Sequence, residues 1–119
     1  MPISLMTTNS KKIIAVDFDG TITLRDNRKW RLGFSFNDTM QVNLPVVKKL
    51  WQIQKDYRLI LWTCRKGRSL RRAVRFCRDW GIKFEAVNRN LFPYPTSRKI
   101  YADFYLDNQA LTLSQFMKL

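Results

Sequence analysis

Apolar residues recur along this chain in short blocks separated by stretches of helical or irregular pattern. The first block, Ile13-Ile14-Ala15-Val16, is four consecutive apolar residues, which predicts a strand buried on both faces, as in a parallel sheet. Between Leu24 and Phe36 the pattern changes: Trp30, Leu32, Phe34 and Phe36 alternate with polar positions, a period of two that predicts a β-hairpin or flap. Pro45 suits the first turn of a helix. In that helix Val46, Val47, Leu50, Trp51 and Ile53 fall on one side, and Lys48, Lys49, Gln52 and Lys55 on the other, as an amphipathic segment requires. Arg58 to Thr63 follows as a second buried strand centred on Leu59-Ile60-Leu61-Trp62, and Arg68 to Trp80 is the clearest helix, closed by Gly81 as a C-terminal cap. Phe84 to Val87 predicts a third strand, Phe104-Tyr105-Leu106 a fourth, short and buried, and Leu113 to Leu119 a short covering helix.

Strand, helix and parallel strand in succession predict a right-handed crossover. The fold class is therefore α/β, a three-layer Rossmann-like sandwich around a mainly parallel central sheet. A chain of 119 residues fits one domain with a single core, here with an N-terminal tail over 1–11 and the flap over about 24–36. The loop from Asn88 to Ser97 carries two prolines, two asparagines and no periodicity, and is expected at a substrate entrance. Its Arg89, Phe92 and Tyr94 are of types that stack on bases and contact phosphates, although packing over the sheet edge is the stronger use of the aromatics.

Composition narrows the function. With 45% hydrophobic and 13% aromatic residues, the chain is not disordered as a whole, and no apolar run approaches the ~20 residues of a membrane span. Met1 to Ser10 does not read as a secretion signal, so the expected compartment is the cytoplasm. Cys64 and Cys77 lack Cys-x-x-Cys spacing, which argues against a disulfide scaffold or zinc site and for two buried small hydrophobes. The absence of histidine excludes Ser-His-Asp catalysis and imidazole ligands, and four glycines spell neither a P-loop nor a dinucleotide fingerprint.

The chemistry concentrates where the first apolar block ends. Asp17 stands at the strand's carboxyl end, where open α/β sheets bind ligands, and Asp19 follows on a turn that Gly20 permits. Two close carboxylates repel and are costly to desolvate; a divalent cation resolves that conflict. The string Asp17-Phe18-Asp19-Gly20-Thr21 resembles the first motif of the haloacid dehalogenase-like (HAD) superfamily, most of whose members are magnesium-dependent phosphohydrolases. The resemblance extends over Ile13 to Asn108 in four motifs, each after an apolar strand. It implies that Asp17 is the nucleophile and Asp19 the general acid and base. Leu59-Ile60-Leu61-Trp62-Thr63 resembles the second motif, implying that the Thr63 hydroxyl holds a phosphoryl oxygen. Lys99, with Arg98 as the competing cation, resembles the third and would neutralise phosphoryl charge. Asp107 resembles the fourth and would hold Mg²⁺ together with Asp17 and, at Asp19, a backbone carbonyl. Asp103 is expected to partner Lys99 or to order the site. Asn108 departs from the family pattern, where a second acid is frequent. Gly20 to Thr63 leaves no room for the cap domain that some members insert, so a capless, open phosphatase is expected, acting on a phosphomonoester through an aspartyl-phosphate.

The charge adds a second theme. Twenty-two Lys and Arg against nine acids give a formal charge of +13, which attracts polyanions. Arg68, Arg71, Arg72, Arg75 and Arg78 form a stripe opposite the packing face of their helix, interrupted only by Asp79; polyanion binding competes there with an ordinary solvated face. Two functional readings follow: hydrolysis of a phosphorylated substrate, including a nucleotide or nucleic-acid phosphate, or a basic nucleic-acid-binding protein that keeps the scaffold with little catalysis.

Overall fold

The computed structural model describes residues 11–24 and 40–119. Four parallel strands, β1 (Ile13–Val16), β2 (Arg58–Leu61), β3 (Ala86–Val87) and β4 (Phe104–Leu106), form one sheet in the order β3-β2-β1-β4. The protein is thus an α/β fold with an all-parallel sheet. β1 is central, and register pairs Val16 with both Leu61 and Leu106.

The hydrophobic pattern explains the layers. Between β1 and β2 runs helix α1 (Leu44–Ile53), with a proline in its first turn, and between β2 and β3 runs α2 (Gly67–Asp79). Chain direction from β1 through β2 to β3 is constant, and right-handed crossovers then put both helices on the same face. There Ile14, Val16, Leu59 and Leu61 pack against Val47 and Leu50 of α1 and Ala73 and Cys77 of α2. The helices are also stitched at their ends: Trp51 Nε1 donates to the Trp80 carbonyl at 2.6 Å and Gln54 Nε2 to that of Gly81 at 3.2 Å. Gly81, at φ +77°, supplies the left-handed residue that ends α2.

The other face differs from expectation. To reach β4 on the far side of β1, the chain must return across that face, and residues 88–103 do so without a helix. Leu91, Ile100 and Ala102 cover Ile13, Ala15, Ile60 and Ala86, so an irregular segment stands where a third, helical layer was predicted. The segment descends to the amino-terminal ends of the strands, where the Phe92 carbonyl accepts from Arg58 Nη1 at 2.9 Å. Tyr94 stacks on Tyr101 with ring centroids 4.0 Å apart, so the loop expected at a substrate entrance leaves the carboxyl edge at Asn88 and carries Phe92 and Tyr94 to the opposite edge of the sheet.

Three further expectations are corrected. β4 is an edge strand, and Phe104 and Tyr105 remain half exposed because only β1 pairs with it. The last helix, α3 (Leu113–Met117), forms on a capping box between Thr112 and Gln115 but buries none of its residues, so it covers nothing. Cys77 is buried, which pushes its thiol up to about 12, whereas Cys64 is exposed in the loop after β2. The tail over 1–10 and the flap, apart from Leu24, lie outside the described residues. The flap's stem is described: Thr23 and Val42 form an antiparallel bridge, and Leu24 N donates to the Gln41 carbonyl at 2.8 Å. Among the described residues no helix is long and apolar enough to cross a membrane.

Candidate active site

The carboxyl ends of three adjacent strands assemble the site. Asp17 and Asp107 each follow a residue of the Val16–Leu106 register pair, and Asp17 N donates to the Leu106 carbonyl at 3.0 Å. Neighbouring strands lie ~4.8 Å apart, so these carboxylates emerge side by side at the sheet edge. On the other flank of β1, Trp62 N donates to the Val16 carbonyl at 2.9 Å, and Thr63 comes next. The strand order reverses direction at β1, the position where open parallel sheets hold their ligands.

Beyond Asp17 the chain makes one irregular turn over Phe18–Ile22. Gly20 adopts φ +81° within it, a left-handed conformation that favours glycine. Phe18 and Ile22 are fully buried and anchor this turn, with the Phe18 ring edge-on to Phe76 at 5.7 Å. Asp19 is thereby lifted over the sheet edge toward the loop after β2. There it meets Arg65, whose Nε and Nη2 donate to Asp19 Oδ2 and Oδ1 at 2.9 and 2.7 Å.

Arg65 is one residue of this edge that sequence reasoning missed. Its side chain is 1% exposed, an uncommon fate for an arginine unless it is paired. Nη1 donates to the Ser69 hydroxyl at 3.1 Å, and the guanidinium lies 4.8 Å from the centre of the Phe18 ring, within cation–π range. Its backbone N–H donates to Thr63 Oγ1 at 3.1 Å. One residue therefore ties the Thr63 loop, the Asp19 turn and the start of α2 together. In the sequence it sits in Arg65-Lys66-Gly67-Arg68, which reads as basic surface.

Asn88 is a second missed residue. It follows β3 with φ +53°, a conformation asparagine adopts more readily than most residues. Its Oδ1 accepts from Thr63 N at 2.8 Å, so the edge strand fixes the loop that carries Thr63.

Of the remaining predicted residues, Asp103 is placed elsewhere. Asp103 lies at the start of β4; its Oδ2 accepts from Ile13 N at 2.7 Å and its Oδ1 from the Tyr101 hydroxyl at 2.9 Å. These contacts belong to the amino-terminal edge of the sheet, and Asp103 makes no ion pair with Lys99. The Ile13 N–H, foremost, and the Tyr101 hydroxyl hold the Asp103 carboxyl below the usual carboxylate range. Lys99 and Arg98 are exposed in the return segment, where Asn90 Nδ2 donates to the Lys99 carbonyl at 3.3 Å.

A solved structure, described as a conserved protein coded by a locus from Bacteroides thetaiotaomicron, is 33% identical to this chain with a TM-score of 0.68. The match covers 86% of this chain and 79% of that one. The chain belongs to the family of that protein. That structure's description names no activity, so function has to be argued from the site. No protein-family model and no curated protein matches the chain.

The donor set accommodates magnesium in one arrangement. Among the described residues no three acidic or thiol side chains gather as a metal cluster, and both Asp19 oxygens are taken by Arg65. Asp17 and Asp107 stand at adjacent strand ends. Magnesium characteristically uses one or two carboxylates, waters and substrate phosphate rather than an all-protein cage, and this pair fits that habit. The Asp19 side chain does not enter it as placed, which leaves a backbone carbonyl as the donor there.

Proposed function

We propose that this protein is a Mg²⁺-dependent phosphohydrolase of the HAD type, cleaving a phosphomonoester through an aspartyl-phosphate on Asp17. The observation that carries the reading is the meeting of Asp17, Asp19, Thr63 and Asp107 at one sheet edge, from three strands far apart in sequence. Packing alone does not collect carboxylates there.

Asp17 and Asp107 would hold the ion, which when bound would screen phosphate charge from the attacking carboxylate. An Asp17 oxygen attacks phosphorus, and the bond from phosphorus to the ester oxygen breaks. Asp19, protonated, gives its proton to that leaving oxygen; afterwards, ionised, it takes a proton from the water that attacks phosphorus and frees Asp17. Both steps require Asp19 to swing one oxygen away from the Arg65 fork. Arg65 then acts as the rest that receives Asp19 between the two transfers. The Thr63 hydroxyl, held as acceptor by Arg65 N, keeps its own proton to donate to a phosphoryl oxygen as charge shifts. Lys99, exposed on the return segment, would neutralise charge on the phosphoryl group.

Phosphate release from p-nitrophenyl phosphate with and without Mg²⁺ tests the reading. Asp17→Asn should abolish turnover with an unchanged circular dichroism spectrum, because the amide keeps the shape but is a poor nucleophile. Wild-type turnover by Asp17→Asn, in a preparation free of contaminating phosphatase, would overturn the covalent route.

A further inference from the structure

We propose that the arginine face of α2 forms a groove that binds single-stranded nucleic acid and leads its terminal phosphate to the Asp17 edge. Delivery of the phosphate rests on the phosphohydrolase reading; binding in the groove does not. Arg68, Arg71, Arg72, Arg75 and Arg78 are all exposed and wall an open groove of about 600 Å³. Leu70, Val74 and Val87 form its apolar floor, between α2 and the edge strand β3.

Three features separate this groove from an ordinary solvated helix face. First, the ion pairs among the described residues are Arg58–Glu85 and Arg65–Asp19, so none of the five arginines is neutralised there. Residues three and four apart on a helix lie ~5–6 Å from each other, and like charges at that spacing repel. The face therefore carries a repulsion that a row of phosphates relieves. Second, guanidinium is the side chain suited to phosphate, presenting a planar fork of donors. Third, the elements that line the groove adjoin the loop that carries Thr63. α2 starts at Gly67, four residues after Thr63, and Val87 of the floor precedes Asn88, which holds Thr63 N at 2.8 Å.

The floor selects among polyanions. Cationic walls over an apolar base match a ligand in which phosphates alternate with flat apolar faces. Polyphosphate and sulfated glycans offer nothing to Leu70, Val74 and Val87, and a duplex turns its bases inward. A single strand is also thin and flexible enough to follow a helix face of ~15 Å from Arg68 to Arg78 and still place its end over Asp17. Arginine forks spent on phosphates position the strand and carry no sequence information, so recognition through them is independent of sequence.

Fluorescence anisotropy with a labelled eight-residue oligothymidylate tests the groove. Five backbone contacts predict a log–log salt slope of about −3.5, an affinity loss of about 100-fold between 50 and 200 mM salt. Arg71, Arg72 and Arg75 together changed to Glu should weaken binding at least ~30-fold at 50 mM salt and reduce the slope to about −1.4. The same three changed to Lys should retain affinity within ~5-fold. Where the triple reversal does not share the wild-type melting transition, Arg72→Gln and Arg75→Gln singly decide, each expected to remove about 0.7 from the slope. Salt-insensitive binding, or binding unchanged by these substitutions, overturns the groove. Equal competition by a duplex or by polyphosphate of matched charge overturns the single-strand assignment. Phosphate release from oligonucleotides bearing a terminal phosphate should rise in kcat/KM up to about six nucleotides, five groove contacts and the terminal phosphate, in the wild type and be flat in the reversal variant. Oligonucleotide binding without any hydrolysis of p-nitrophenyl phosphate would refute the phosphohydrolase and leave the groove; the converse would refute the groove and leave the phosphohydrolase.

Discussion

Arg65 concentrates the energetic question at the scale of single residues. A buried ion pair is weak evidence of stabilisation, because desolvation offsets much of the attraction, but removing one partner strands the other. Arg65→Met leaves Asp19 facing an apolar surface, and a loss of about 3 kcal/mol in urea unfolding is expected. The double variant with Asp19→Asn should lose less than the two single changes added, with a coupling of about 2 kcal/mol; additive losses would show that the fork carries no net interaction. Asp103 makes the opposite kind of contribution, visible through pH. Its carboxyl is held below the range of the unfolded chain, chiefly by the Ile13 N–H. The stabilisation is thus complete above the unfolded value of about 3.9 and disappears as pH falls through the folded one. The gap in urea midpoint between wild type and Asp103→Asn should be constant from pH 7 to about 5 and narrow progressively as acid is added below about 4. A gap that did not narrow with acid would place the effect in packing instead of ionisation.

At the scale of elements, β4 separates two acids that the sequence places only four residues apart. Asp107 leaves its carboxyl end beside Asp17, while Asp103 at its start accepts from Ile13 N. A strand advances ~3.3 Å per residue, so the two stand ~13 Å apart, whereas Mg²⁺ demands oxygens at ~2.1 Å. Asp107→Ala should therefore raise the magnesium concentration for half-maximal phosphate release several-fold and Asp103→Ala should not, with coincident titrations contradicting the assignment of Asp107. The strands themselves were legible because each is an apolar block, and the sheet edge was legible because an acid or threonine ends three of those blocks. What such blocks do not reveal is their neighbours. Phe104-Tyr105-Leu106 reads alike on a central or an edge strand, and only the order β3-β2-β1-β4 exposes it. Residues 88–103 carry no period, so their use as the cover of a whole sheet face follows from crossover handedness rather than local pattern. Arg65 stayed hidden for a related reason: its partner Asp19 is 46 positions away, and nothing local marks one arginine among so many cations as buried.

For the molecule as a whole, the distribution of apolar surface matters more than its amount. One sheet face packs against α1 and α2 and the other against the return segment, and the residues from Leu111 onward do not cover the partly exposed Phe104, Tyr105 and Leu106 of the edge strand. The C-terminal residues add exposed apolar surface instead: Leu113 is 86%, Met117 79% and Leu119 88% exposed. α3 holds its shape through local bonds, as Gln115 N donates to Thr112 Oγ1 at 3.0 Å and Thr112 N to Gln115 Oε1 at 2.8 Å. Five residues capped in this way are too short to be stable on helix propensity alone, and without burial they contribute little to the rest of the fold. Truncation after Ala110 should consequently move the melting temperature by less than about 2 °C and leave phosphate release within ~2-fold of wild type. The measurement is differential scanning calorimetry of both proteins at two concentrations. A drop of more than about 5 °C would mean that the arm is buried in solution. If that drop grew with concentration, the cover would be a second copy of the chain; if it did not, the arm would pack on its own domain.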